Sequence, residues 1–301
     1  GDTGWPGGRI DALLLTHGHL DHCGAMAFLD PSIPVVASPT TVALLRAWQE
    51  SGKSDLTSEV TYLAPRREVA DSGGRLIETD RSAAKPGREF RTIGDAPTAL
   101  VGLLDRSPYS GDRTRFEPGK VAPAPRRLGD GLRVDAYPVD HSVYGAMAFV
   151  LEADGGPVAY SGDLRFHGEK GPQTEAFVRA LESRPPELLI VEGTRLTARD
   201  DVPHPAQISE DDVQRNCRAR VEEYPDRLVV ADFGPRNVER LRRFRRIALA
   251  TGRQLVVTPG RLPAAPPPRV GSVDRGRSRP GRHADPPGAD DPHPALARPR
   301  G

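Results

Sequence analysis

The chain has 301 residues, 37% of them hydrophobic and 28% charged, with a formal net charge of +1. That length holds one large domain or two ordinary ones, and the near-neutral balance supplies no global field to draw in nucleic acid or an anionic membrane. No apolar run approaches the roughly 20 residues of a transmembrane helix, no signal-peptide pattern opens the chain, and Cys23 and Cys217 are too few for a disulfide framework, so a cytoplasmic setting is expected.

Ile10–Thr16 (IDALLLT) is a short apolar run and reads as a buried strand. GAMAFLD starts a helix, and Ile33–Ser38 reads as a second strand. A helix follows over PTTVALLRAWQESG, with Pro39 near its start and Gly52 past its end. Residues 64 to 131 carry Pro, Gly and Arg without clear periodicity and read as an irregular insertion whose only apolar run is TALVGLL. Regularity returns at LRVDAYPVDH, where Leu132, Val134 and Ala136 alternate with Arg133, Asp135 and Tyr137 as in a half-buried strand. AMAFVLEA and GPVAYSGD form a hairpin around Asp154-Gly155-Gly156. TEAFVRALES is a helix and ELLIVEG a strand. SEDDVQRNCRARVEEYP is a helix with Ser209 as N-cap and acids in its first turn. RLVVADF, RNVERLRRFRRIALATG and RQLVVTP then read as strand, helix and strand, a pattern of parallel βαβ units. In that last helix Val238, Leu241, Phe244 and Ala248 form one stripe, with Arg242, Arg243 and Arg246 opposite. A solvated face is the first reading of the arginines, and a phosphate-contacting patch the second. After about residue 260 the composition turns to Pro, Arg, Gly, Ala and Asp with no aromatic residue, which reads either as a natural disordered tail or, the preferred account, as a reading-frame change in a high-GC gene.

The stretch His17-Gly18-His19-Leu20-Asp21-His22 places four metal-ligand side chains in six positions directly after the first strand. Imidazole nitrogen and carboxylate oxygen are good Zn²⁺ ligands. If the chain turns after the strand, His17 and His19 converge on one ion and Asp21 and His22 reach a second. Cys23 follows directly but is read as packed rather than ligating, and Cys217 as core.

This HxHxDH stretch resembles the signature of the metallo-β-lactamase superfamily. The resemblance implies an αββα metallo-β-lactamase sandwich and further ligands downstream: His141 after an alternating strand, and Asp163 in the S-G-D of AYSGDLRFHG. By resemblance His17, His19 and His141 hold one zinc ion, Asp21 and His22 the other, and Asp163 bridges both. Two such ions share a hydroxide that attacks the substrate. The superfamily's seventh ligand, a late histidine, is unassigned: His167, His204, His283 and His293 do not end strand-like runs.

Downstream of Asp163 the chain resembles the β-CASP branch, which includes ribonuclease J and the cleavage-factor endonucleases. Glu192 in VEGTRL matches that branch's acidic residue, and ADFGPRNVERL its strand-to-helix turn. The implied organisation is a metallo-β-lactamase domain over 1–193, lacking its opening strands, a partial β-CASP domain over 194–259, and the tail over 260–301. The implied function is RNA phosphodiester hydrolysis, with Asp21 and Glu192 as catalytic residues and His167, Ser161 and Thr194 near the substrate or supporting the ligands. Single-stranded RNA is the expected partner, no membrane is expected, and a homo-oligomer is left open. The branch's two later histidine motifs, one a general acid and one a metal ligand, do not occur here, so the resemblance implies a fragment with impaired cleavage. A small-molecule metallo-hydrolase and a non-catalytic RNA-binding scaffold are the rival readings.

Overall fold

The computed structural model describes residues 10–51, 56–71, 74–80, 82–108, 115–193, 208–234 and 236–257, all within one compact unit spanning Gly1–Ala265. The elements in chain order are β1 (Leu13–Leu14), α1 (Leu20–Cys23), β2 (Val35–Ala37), α2 (Pro39–Ser51), the hairpin β3 (Arg66–Asp71) and β4 (Gly74–Thr79), β5 (Lys85–Pro86), β6 (Phe90–Thr92) and α3 (Thr98–Asp105). They continue with β7 (Phe116–Glu117), β8 (Val121–Pro123), β9 (Arg127–Leu128), β10 (Leu132–Pro138), β11 (Met147–Ala153), β12 (Gly156–Tyr160), α4 (Gly171–Ser183), β13 (Leu188–Ile190), α5 (Glu210–Glu222) and α6 (Val238–Ala250).

Two main sheets carry the architecture. The first is wholly parallel in the order β1-β2-β6-β8, with Leu13 opposite Val35, Val35 opposite Phe90 and Phe90 opposite Val121. Its central strand β2, Val35–Ala37, is apolar and buried throughout, as an inner strand of a parallel sheet is expected to be. Val42 and Leu45 of α2 and Leu100 and Leu104 of α3 pack with Leu15, Val35, Ala37 and Phe90 into one core. Pro at the first position of α2 suits an N–H that would have no helical partner, and Ser38 Oγ accepts the Thr41 N–H at 3.1 Å to cap that turn.

The second sheet runs β13-β12-β11-β10-β9. β10, β11 and β12 form an antiparallel meander, and α4 returns the chain so that β13 lies parallel to β12, a βαβ unit. Phe177 of α4 packs on Val139, Ala148, Val150 and Ala159 to make a separate core. The sheets meet through Met147 N–H donating to Thr16 O at 3.0 Å. They also meet where the Ser38 and Thr41 hydroxyls donate to Gly145 O at 2.7 and 3.0 Å. Two sheets with their own helices and cores make the mixed α/β fold that the sequence analysis expects.

Two expectations need correction. The segment 64–131 is not an irregular insertion: it forms the β3–β4 hairpin and α3 and supplies the β6 and β8 strands of the first sheet. Those strands are three residues long, too short to show a period, and they form by pairing, β6 with distant β2 and β8 with β6, rather than by local preference. RLVVADF and RQLVVTP, read as strands, make no ladder over their described residues. Leu228, Val230 and Val256 are 91%, 83% and 84% exposed, with no neighbouring strand among the described residues to bury them. GAMAFLD, expected to start a helix, forms a 3₁₀ helix over Gly24–Phe28.

The helices α5 and α6 pack on each other and against the second sheet's loops. Ser209 caps α5 through a capping box with Asp212, and Asn237 Oδ1 accepts the Arg240 N–H at 2.9 Å to cap α6. The buried face of α6 is Glu239, Arg243 and Ile247, so Arg243 does not share the solvated face with Arg242 and Arg246. Of the expected domain 194–259, residues 194–207, 235 and 258–259 lie outside the described residues, as does the expected tail 260–301. No described helix is long and apolar enough to cross a membrane.

Candidate metal centre

Three strand ends deliver the site. β1 runs through Leu15, whose N–H still donates to Val36 O, and then releases His17. β10 ends three residues before His141, and β12 three before Asp163. β10 and β12 point the same way because each is antiparallel to β11, so both release their loops at one edge of the second sheet. The two sheets join beside Thr16, which brings that edge to the end of β1.

The ligand-type atoms converge there. His17 is fully buried, and its Nδ1 lies 3.1 Å from Thr16 Oγ1, which turns Nε2 inward. Nε2 of His17 is 3.2 Å from Nδ1 of His19, and that same Nδ1 is 3.0 Å from Nε2 of His141. Asp163 Oδ2 stands 3.7 Å from each of the two Nε2 atoms. His17, His19, His141 and Asp163 thus offer four ligand atoms within 4.8 Å of one another. A tetrahedral Zn²⁺ with bonds of about 2.0–2.1 Å holds its ligands about 3.3 Å apart, so this spacing fits one ion. The other oxygen of Asp163, Oδ1, lies 3.3 Å from His22 Nε2, and His22 Nε2 lies 3.5 Å from Asp21 Oδ2. Asp21 is largely exposed, at 77%.

The electrostatics agree with metal ligation. Burial, reinforced by neighbouring imidazoles, lowers the pKa of His17 to about 2 and that of His141 to about 4. His19 is lowered too, by burial first and then by the Arg236 charge. All three rings are therefore neutral near pH 7, the state in which imidazole nitrogen offers a lone pair. Their crowded nitrogens cannot all be satisfied by hydrogen bonds to one another, since His19 Nδ1 faces two partners. Burial raises the pKa of Asp163 against the pull of His22. Cys23 sits in the first core and burial pushes its thiol up to about 11, so it offers no thiolate.

Among the other residues singled out, Glu192 Oε1 accepts the Leu164 N–H at 2.8 Å and so grips the backbone next to Asp163. Ser161 is buried, with its hydroxyl donating to Gly162 O at 2.6 Å. His167 is not in the converging set, but its carbonyl accepts the Glu210 N–H at 3.0 Å at the start of α5. Thr194 and His204 lie outside the described residues.

Sequence reasoning missed a buried ion network beside the site. Arg165 Nε pairs with Asp140 Oδ2 at 3.1 Å, its Nη1 pairs with Glu210 at 3.1 Å, and its Nη2 pairs with Glu239. Glu210 also binds Arg240 at 2.7 Å, and Glu239 binds Arg243 at 2.8 Å. Asp140 and Glu239 are fully buried, and Asp140 directly precedes His141. Its carboxyl is pushed up by burial more strongly than Arg165 pulls it down. Burial also pushes Glu210 up, but Arg240 and then Arg165 outweigh it and the net direction is down. No local pattern marks Arg165 in GDLR, because its partners Glu210 and Glu239 lie 45 and 74 residues beyond it.

The family profile of the metallo-beta-lactamase superfamily matches residues 1–231. No curated protein matches. A solved crystal structure of a protein of unknown function from Enterococcus faecalis V583 is similar at 24% identity with a TM-score of 0.49, over 78% of this chain and 44% of that one. The chain thus spans less than half the length of that protein.

Proposed function

The chain belongs to the metallo-beta-lactamase superfamily, and from that premise we propose that it is a zinc-dependent hydrolase whose parent activity is RNA phosphodiester hydrolysis. The observation that carries the metal-dependent part is the convergence of His17, His19, His141 and Asp163 with His22 on the second oxygen of the same carboxylate. His17, His19 and His141 would hold one ion with Asp163, and Asp21 and His22 a second one sharing Asp163. Bound there, zinc supplies Lewis acidity and a source of nucleophilic water near neutral pH.

The chain's own residues do the rest. Neutral, buried imidazoles present lone pairs without having to shed protons first. Glu192 fixes the Leu164 backbone and thereby the direction of Asp163. Asp21, open to solvent beside His22, is placed to take up a proton from incoming water. The choice of RNA rests on Glu192 after β13 and on the ADFGPRNVERL turn into α6, with exposed Arg245 and Arg246 on that helix available to phosphates.

The test compares substrates with the zinc-loaded protein. Single-stranded RNA and a simple aryl phosphodiester should be hydrolysed, slowly for RNA because no general acid is assigned, and chelation should abolish both. Hydrolysis of a thioester or lactone with no action on phosphodiesters would replace the RNA reading by a small-molecule one. RNA binding with no hydrolysis of any substrate would favour a scaffold.

A further inference from the structure

Arg236, two residues before α6, reaches back to the metal loop. Its Nη1 donates to Gly18 O at 2.5 Å, across 218 residues of sequence. Gly18 is the residue between His17 and His19. The Cζ atom of the same guanidinium lies over the Trp48 ring, 4.5 Å from its centroid. Trp48 belongs to α2 and packs against the first core. One cation is therefore held both over a fixed ring and by a hydrogen bond to the carbonyl that separates two ligands. The neighbouring residue, Asn237, is itself pinned as the cap of α6, so the backbone that carries Arg236 is set as well.

Resting on the metal reading above, we infer that Arg236 is a positioning residue for the metal centre. It fixes the peptide between His17 and His19 and so sets the angle at which both imidazoles meet the ion. The guanidinium differs from an ammonium here in shape: its N–H groups are fixed at set angles in one plane, so a ring contact and a donation to Gly18 O together fix its orientation, whereas an ammonium on a flexible stem has no plane to set that angle. The inference extends the site to a residue whose hydrogen bond goes to the backbone between two ligands. It also makes metal affinity depend on α6, because α6 and its capping residue carry the arginine. Outer partners that orient ligands typically change metal affinity by about 10–100-fold when removed.

The experiment uses the full 301-residue chain, prepared metal-free and titrated with Co²⁺ and Zn²⁺ against a chromophoric chelator. Wild type, Arg236→Ala and Arg236→Lys are compared, with the thermal midpoint of each apo protein measured alongside. The expected result is metal binding by the wild type, affinity about 10–100-fold weaker in Arg236→Ala, an altered Co²⁺ visible band, and an apo midpoint like that of the wild type. If the Ala variant also lowers the apo midpoint, the Lys variant decides. Weakened affinity in Arg236→Lys supports positioning by the planar group. Wild-type affinity in Arg236→Lys overturns it. Wild-type affinity and spectrum in Arg236→Ala overturn the inference while leaving the metal reading intact. A wild type that binds neither metal overturns the metal reading itself.

Discussion

His22 Nε2 lies 3.3 Å from Oδ1 of Asp163, while Oδ2 of the same carboxylate faces the Nε2 atoms of His17 and His141. One side chain thus addresses two ligand groups. Asp163→Ala should therefore lower zinc content from close to two ions per chain to one or fewer, with the ion at Asp21 and His22 lost first. That pair retains the fewest protein ligands. Elemental analysis of the folded variant checks this, and unchanged content would show that Asp163 does not bridge.

The apo protein should lose stability as pH falls below about 6.5. The unfolded histidines titrate near that value, whereas His17 and His141 in the fold titrate at about 2 and about 4. Between these values the unfolded chain binds more protons than the folded one, so stability rises with pH in that window and falls with acidification. The contribution of His141 stops changing below about pH 4, and that of His17 continues toward about pH 2. Asp163, whose folded pKa is raised, acts in the opposite direction above the unfolded carboxylate pKa. Urea midpoints of the metal-free chain at pH 7.5 and pH 5 should differ, with the lower value at pH 5. Replacing His17 by Gln should shrink that difference.

Arg165 compensates two fully buried carboxylates, Asp140 and Glu239, and also Glu210. Arg165→Met leaves Asp140 without its charged partner, while Glu210 keeps Arg240 and Glu239 keeps Arg243, and breaking a buried pair from one side costs about 3–5 kcal/mol. The denaturant midpoint should fall accordingly, with little change in slope. Arg179→Met, which breaks an exposed pair with Glu175, should cost about 0–1 kcal/mol.

The contrast between these sites shows what the sequence could reveal. His17, His19, Asp21 and His22 lie in one turn, so their chemistry was readable directly, and long elements such as α2, β11 and α5 carried enough residues to display a period. Arg165 and Arg236 gain their meaning from partners at Glu239 and Gly18, far along the chain, and nothing local marks either arginine. The strands β6 and β8 were illegible for the same reason, being fixed by pairing with β2 and with each other. RLVVADF failed in the other direction: its β-branched run has strand propensity, but no neighbouring ladder among the described residues takes it up. Propensity without a partner does not make a strand.

Gly162 stands directly before Asp163 with a φ of +57°, and a Cβ built on it would come within 2.7 Å of Thr16 Cβ. Thr16 precedes His17 and its hydroxyl lies 3.1 Å from that ring. Gly162→Ala therefore meets two penalties at once, a left-handed backbone disfavoured for a residue with a Cβ and a contact that must push Thr16 aside. Relief can come only by moving the end of β12 or the end of β1, and each carries a ligand. Stability should fall by about 1–3 kcal/mol, and metal affinity should fall with it, since Asp163 and His17 are displaced relative to each other. Gly155→Ala, in the turn between β11 and β12 with open space where its Cβ would stand, supplies the control and should leave metal affinity unchanged. Equal metal affinity in the two variants would mean that the joint at Thr16 and Gly162 does not set the geometry of the centre.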